Sequence, residues 1–212
     1  MERERDLDLL RRTAEGDDAA FNILVERYQR TLLNFLYRMV RDGEVAEDLL
    51  QETFIRVYRT REKPIENFSA WVFTIASNLA RDEIRRRGRR RLTSLDEMEE
   101  KGNRIPQSEF GYRNSPWSPE DPETFAANGE LRSRIEEAIG RLDEKYRVVV
   151  LLRDIEGRTY EEISVILGMH LGTVKSRLNR ARLKLQEDLR PYLNGSNPHL
   201  ADNSEKGGLN EL

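Results

Sequence analysis

The 212-residue sequence contains no cysteine. That excludes a disulfide framework, a thiolate metal site and a cysteine nucleophile. Histidine is scarce as well: His170 and His199 are the two present, and neither sits at metal-ligand spacing from other donors. There is no glycine-rich phosphate loop, so nothing points to an enzyme, a cofactor, a metal or a small-molecule substrate. Long apolar runs are missing too. The longest aliphatic stretch is Val148–Leu152, far short of the roughly 20 residues that cross a bilayer. The opening MERERDLDLL is charged and lacks a signal-peptide apolar core. These absences predict a cytoplasmic, non-enzymatic protein that does not insert in a membrane.

What is present is charge. Charged residues make up 35% and hydrophobic residues 37% of the chain, a balance that suits several small helical units better than one thick core. The net charge of −3 conceals a strong asymmetry. Residues 81–91 hold seven Arg against Asp82 and Glu83, and residues 96–130 hold nine acids against Lys101, Arg104 and Arg113. A mildly acidic chain thus carries concentrated basic patches of the kind that meet a polyanion.

Periodicity predicts an all-α fold: two small helical domains joined by a long extended linker. In residues 1–91 the apolar positions recur at helical spacing, as in Phe21, Leu24, Val25, Tyr28 and again in Leu32, Phe35, Leu36, Met39. Asp42-Gly43 breaks the pattern. Val45, Leu49, Leu50, Phe54, Val57 and Tyr58 then mark a helix that Pro64 ends or follows, and Trp71, Val72, Ile75, Leu79 and Ile84 mark another. Residues 92–130 have no sustained period. They contain Pro106, Pro116, Pro119 and Pro122 among many acids, which reads as an acidic flexible linker. Residues 131–190 are helical again, and the polar 191–212 reads as a disordered tail.

The densest signal lies in residues 159–185. Thr159 with Glu162 three positions on makes a capping box. Ile163, Ile166 and Leu167 form an apolar face, and Gly168 is placed to end the helix in a left-handed conformation. A second helix follows with Val174, Leu178, Ala181 and Leu185 on its inner stripe. Lys175, Ser176, Asn179 and Arg180 share its outer face. Two helices with this turn form a helix-turn-helix, the geometry that lays a recognition helix in the major groove. From Thr173 to Lys184 there are five cations and no acid, a stripe that repels itself unless a polyanion meets it.

Three stretches in this order resemble a bacterial RNA polymerase sigma factor of the extracytoplasmic-function group of the sigma-70 family: DLLQETFIRVYR at 48–59, FSAWVFTIASNLARDEIRRRGRR at 68–90, and YRVVVLLRDIEGRTYEEISVILGMHLGTVKSRLNRAR at 146–182. The resemblance implies an alternative sigma factor that binds polymerase core, through the β′ clamp helices and the β flap, and directs promoter-specific initiation. It puts Asp48, Gln51 and Glu52 on the core-binding face. By spacing these three share a polar strip opposite Leu49, Leu50 and Phe54, which taken alone would also describe a solvated amphipathic helix.

The resemblance further implies that residues 1–91 melt the −10 element and capture it as a single strand. The loop 65–69 with Asn67, Phe68 and Ser69 would wall a pocket for a flipped base. Asn78 would hydrogen-bond in that pocket, and Arg81, Arg85 and Arg86 would hold phosphates. Trp71 and Phe73 could stack on bases or serve as core residues of the helix, and for Trp71 the core reading is favoured. The helix-turn-helix would read the −35 element as duplex through Lys175, Ser176, Asn179 and Arg180, with Thr173 and Arg177 beside them. An anti-sigma protein is an implied partner. Three features depart from the family pattern: Asp143 stands where a proline is usual, His170 and Leu171 occupy the turn before the recognition helix, and the arginine run at 85–91 is richer than usual. The competing reading of the residues is a stand-alone helix-turn-helix regulator that binds duplex DNA without polymerase.

Overall fold

A computed structural model describes residues 5–99 and 122–193, and every regular element among them is helical. Helix α1 (Asp6–Ala14) opens with Asp6 and Asp8 and closes with Arg11 and Arg12, complementing its dipole at both ends. The chain then turns through Gly16 at φ +96°, a break that the apolar period does not announce. Asp17 caps α2 (Asp18–Val40) by accepting the Ala20 N–H at 3.2 Å.

The break expected at Asp42-Gly43 is divided among three residues. Arg41 takes the left-handed conformation, at φ +57°, and its N–H returns to the Tyr37 carbonyl at 2.7 Å. Asp42 caps α3 (Gly43–Arg59) by accepting the Val45 N–H at 3.2 Å. Gly43 is merely the first helical residue. Helix α4 spans Phe68–Glu99 and α5 spans Pro122–Arg141. Helical backbone therefore enters both ends of the segment 92–130 predicted as linker, because local propensity outlasts the apolar period that marked the domain edges. Residues 100–121, and most of the predicted tail, lie outside the described residues.

Helix α6 (Glu144–Val150) runs into a π-helical turn, Leu151–Ile155. Gly157 at φ +67° redirects the chain into α7 (Tyr160–Leu167), and α8 (Leu171–Leu193) completes the helix-turn-helix. The run Val148–Leu152 is buried throughout, which is why it shows no amphipathic period.

The first half packs α1, α3 and α4 around α2, with Phe35 edge-on to Phe73 at 5.3 Å. The second packs α8 on α5, α6 and α7, with Ile163, Ile166, Val174, Leu178 and Ala181 inside. Each fully buried side chain of this size contributes about 1.5–3 kcal/mol. The halves touch: α7 lies against α4, and α5 and α6 lie against α2, so the buried residues form one continuous cluster.

Candidate nucleic-acid interface

The recognition helix is positioned by local chemistry. The Thr159 hydroxyl accepts the Glu162 N–H at 3.1 Å, and the Glu162 carboxylate accepts the Thr159 N–H at 2.8 Å. Gly168 ends α7 at φ +60°, and the following Met169 N–H donates to the Ser164 carbonyl at 3.0 Å. A histidine side chain is a poor cap, but the His170 main chain serves: its carbonyl accepts from the N–H groups of Thr173 at 2.9 Å and Val174 at 3.1 Å. Val174, Leu178 and Ala181 seat α8 on the core. That leaves Lys175, Ser176, Asn179 and Arg180 exposed on one face, with Thr173 and Arg177 half-buried at its edge.

The five-cation stripe is not uniform. Asp154, delivered by the π-helical turn, takes the Arg182 guanidinium through two contacts of 3.2 and 2.5 Å and pushes its pKa up. Asp143 lies 3.7 Å from Lys184. So Asp143 answers a cation of α8. Among the described residues no carboxylate pairs with Lys175, Arg177 or Arg180; Lys175 stands 5.8 Å above the Tyr160 ring.

The basic face of α4 is built differently. Asn78 and Arg85 are exposed, and Arg85 meets Asp82 only at 3.9 Å. Glu83 is buried and holds both Arg86 and Arg87, the latter also reaching Asp42 at 3.0 Å. Burial works against ionisation of Glu83, but the two guanidinium groups outweigh it and hold its pKa low. Arg81 donates to Glu144 of α6 at 2.6 Å and is half-buried.

Phe68 needs a correction. It was expected to line a base pocket, yet it is 2% exposed and packs edge-on to Tyr28 at 5.2 Å and Trp71 at 6.0 Å. It anchors the loop from below. Asn67 is exposed but spends its carbonyl oxygen on the Ala70 N–H at 2.9 Å, capping α4, and Ser69 is half-buried. Phe73 is fully buried, with the Arg158 guanidinium 4.5 Å above its ring, so it offers no stacking surface; Trp71 is half-buried against the core.

On α3, Asp48 and Gln51 are exposed and Glu52 pairs with Arg56 at 2.7 Å. Phe54 and Val57 turn inward, so the polar strip faces out. The three groups of candidate residues thus occupy three separate helix faces. Among the described residues no cluster of His, Asp and Glu is arranged to hold a metal, and no helix is long and apolar enough to cross a membrane.

Residues 24–90 match the family model for sigma-70 region 2, and residues 132–185 match that for sigma-70, region 4. The chain is 31% identical to the RNA polymerase sigma-H factor of Pseudomonas aeruginosa, over 91% of this chain and 98% of that one. It is 33% identical to the ECF RNA polymerase sigma-E factor of Salmonella typhimurium, over 87% of this chain and 94% of that one. Among solved structures, it is similar to the sigma factor RpoE in complex with the anti-sigma factor NepR from Bartonella quintana. That likeness has a TM-score of 0.59 and 26% identity, and it covers 80% of this chain and 96% of that one.

Proposed function

The chain belongs to the extracytoplasmic-function group of the sigma-70 family, and from that premise we propose how its two basic helices divide the work of promoter recognition. As a sigma factor it directs transcription initiation. Helix α8 reads the −35 element as duplex. The observation that carries this is the exposed, carboxylate-free set Lys175, Ser176, Asn179 and Arg180 on one face of α8. Lys or Arg suits guanine and Asn suits adenine in the major groove, each good bidentate contact being worth about 1–3 kcal/mol of discrimination.

Helix α4 captures the melted −10 strand. Extruded bases need a partner for the edges and faces they expose, and phosphates need cations. Asn67, Ser69 and Asn78 supply the polar edges; Arg81, Arg85 and Arg86 supply the charge. Asp48, Gln51 and Glu52 on α3 form the docking strip for polymerase core. Polymerase fixes the place of action as the bacterial cytoplasm. An anti-sigma protein is a fitting regulator, since a solved neighbour is held by one.

Single-round transcription tests this reading. Bacterial core polymerase, the protein and a pool of random promoter fragments should give promoter-specific transcripts only when the protein is present. Lys175→Ala with Arg180→Ala should abolish them. Tight duplex binding without polymerase, and no transcripts, would instead establish a stand-alone regulator.

A further inference from the structure

Beneath the loop assigned to the melted −10 strand stands a residue that the functional reading does not use. Tyr28 of α2 is half-buried, and its ring meets Phe68 edge-on at 5.2 Å. Phe68 opens α4 and is 2% exposed. Asn67 and Ser69, which flank it, are polar groups assigned to an extruded base. Edge-to-face aromatic pairs have a preferred geometry and add to the energy of burial, so the Tyr28 ring fixes where Phe68 sits. The neighbours follow, because Asn67 is tied into the start of the helix. Its main-chain carbonyl accepts the Trp71 N–H at 3.0 Å, and its side-chain oxygen accepts the Ala70 N–H at 2.9 Å.

The other end of the Tyr28 side chain is held as well. Its hydroxyl donates to Asp6, the first residue of α1, at 2.5 Å. The same carboxylate pairs with Arg27, and both side chains of that pair are half-buried. Burial pushes the Tyr28 pKa up, and the bond to Asp6 pushes it further, while a hydrogen bond with Ser69 pulls it the other way. A bond that favours the phenolate is one that the phenol oxygen accepts. The hydroxyls therefore run in one direction, from Ser69 to Tyr28 and from Tyr28 to Asp6. A carboxylate only accepts, so the direction is fixed from the Asp6 end. Ser69 keeps its lone pairs to accept from a base. Asn67, with its oxygen spent on Ala70, keeps its amide N–H groups to donate.

We propose that Tyr28 is a positioning residue of the −10 site: its ring places Asn67 and Ser69 through Phe68, and its hydroxyl, oriented by Asp6, makes Ser69 an acceptor. This role rests on the −10 reading above. The opposite end of the loop is fastened separately. Arg61 donates to the carbonyls of Thr13 at 3.2 Å and Tyr58 at 2.7 Å, and it lies 4.2 Å over the Tyr58 ring. Tyr28 thus governs the α4 end, where the polar groups stand, and not the loop as a whole. A donor and an acceptor already set in place need no reordering when a base arrives, and that preorganisation is a gain in affinity and selectivity.

Two measurements on the full chain separate the ring from the hydroxyl. Amide hydrogen exchange needs no DNA. Tyr28→Leu removes the ring and should speed exchange at Ala70 and Trp71 about tenfold or more, as local opening becomes easier. Tyr28→Phe keeps the ring and should leave these amides nearly unchanged. No change in Tyr28→Leu, or a rise spread evenly over α1 to α4, would overturn the ring's part, the second by marking a plain loss of core stability. The other measurement is binding of single-stranded oligonucleotides by the protein with core polymerase. The oligonucleotides carry the −10 sequence of a selected promoter with one base changed in each. Tyr28→Phe should cut base preference at one position about two- to tenfold, the worth of one neutral hydrogen bond, and leave the other positions alone. Asp6→Ala should do the same. Asp6→Asn still accepts from the phenol although it loses the charge that pairs with Arg27, and it should keep the preference. A Tyr28→Phe profile that overlays the unmodified protein, or equal losses in Asp6→Asn and Asp6→Ala, would overturn the hydroxyl's part. Exchange as expected, with no base preferred at any position by the unmodified chain, would overturn the −10 reading and leave the support of the loop by Tyr28 standing.

Discussion

Helices α4 and α8 are both basic, yet they keep their cations in opposite ways. On α4, Arg81, Arg86 and Arg87 are held by Glu144, Glu83 and Asp42. On α8, Lys175, Arg177 and Arg180 have no such partner among the described residues, while Arg182 and Lys184 farther along are answered by Asp154 and Asp143. An unpaired cation on a rigid helix is ready to bind at first contact. A paired one must exchange an internal carboxylate for a phosphate. On the proposed reading, the helix assigned to the −35 element is preorganised, and the helix assigned to the −10 element is restrained until its acids are displaced.

The sharpest way to break the comparison lies within α8 itself. Arg180→Ala should lower affinity for the −35 duplex by the 1–3 kcal/mol typical of a base-edge contact, about 5- to 150-fold, and relax preference at one base pair. Arg182→Ala should cost only about threefold and shift no base preference, because its guanidinium is already committed to Asp154. Binding to a set of single-base duplex variants measures both. Equal losses at the two positions would remove the distinction between unpaired and answered cations.

Next in size is the frame that presents the stripe. Thr159→Ala removes the capping box, which costs about 1 kcal/mol in helix stability. The thermal midpoint should fall by a few degrees, and −35 binding should weaken with it, while single-stranded −10 binding stays unchanged. Loss of both activities together would mean that the core shared by the two halves couples the two readers. On α4 the complementary change is Glu144→Gln. It keeps the shape of the side chain and removes the charge that holds Arg81. Affinity for single-stranded −10 DNA should rise a few-fold, and its salt dependence should steepen as one more phosphate contact forms.

The contrast also shows what could be read from the amino acids. Thr159, Glu162 and Gly168 were legible because capping and left-handed termination act over three or four residues. The inner stripe of α8 was legible from its period, and so were the exposed quartet and the strip on α3. The pairings of Arg81 with Glu144 and Arg182 with Asp154 were not. They join residues 63 and 28 positions apart, and no local pattern carries such distances. Phe68 was misplaced because an aromatic beside a polar loop looks the same whether it faces a base or the core. Arg41 was hidden by Gly43: the glycine drew attention as the breaker, while the arginine took the left-handed turn.

The smallest expected effect concerns Glu156, a half-buried carboxylate just after the π-helical turn. Burial pushes the Glu156 pKa up, and the positive charges of Arg38 and Arg158 only partly offset it. The sign follows from which state holds the proton. A carboxylate whose pKa is raised in the folded chain keeps its proton to higher pH there than in the unfolded chain. Its contribution to stability is therefore full below the ordinary carboxylate range and is lost as pH rises through the raised value. The thermal midpoint should fall modestly as Glu156 ionises. Glu156→Gln cannot ionise, so it should flatten this part of the pH profile of the midpoint. A profile for Glu156→Gln that overlays that of the unmodified protein would assign the titration to other carboxylates.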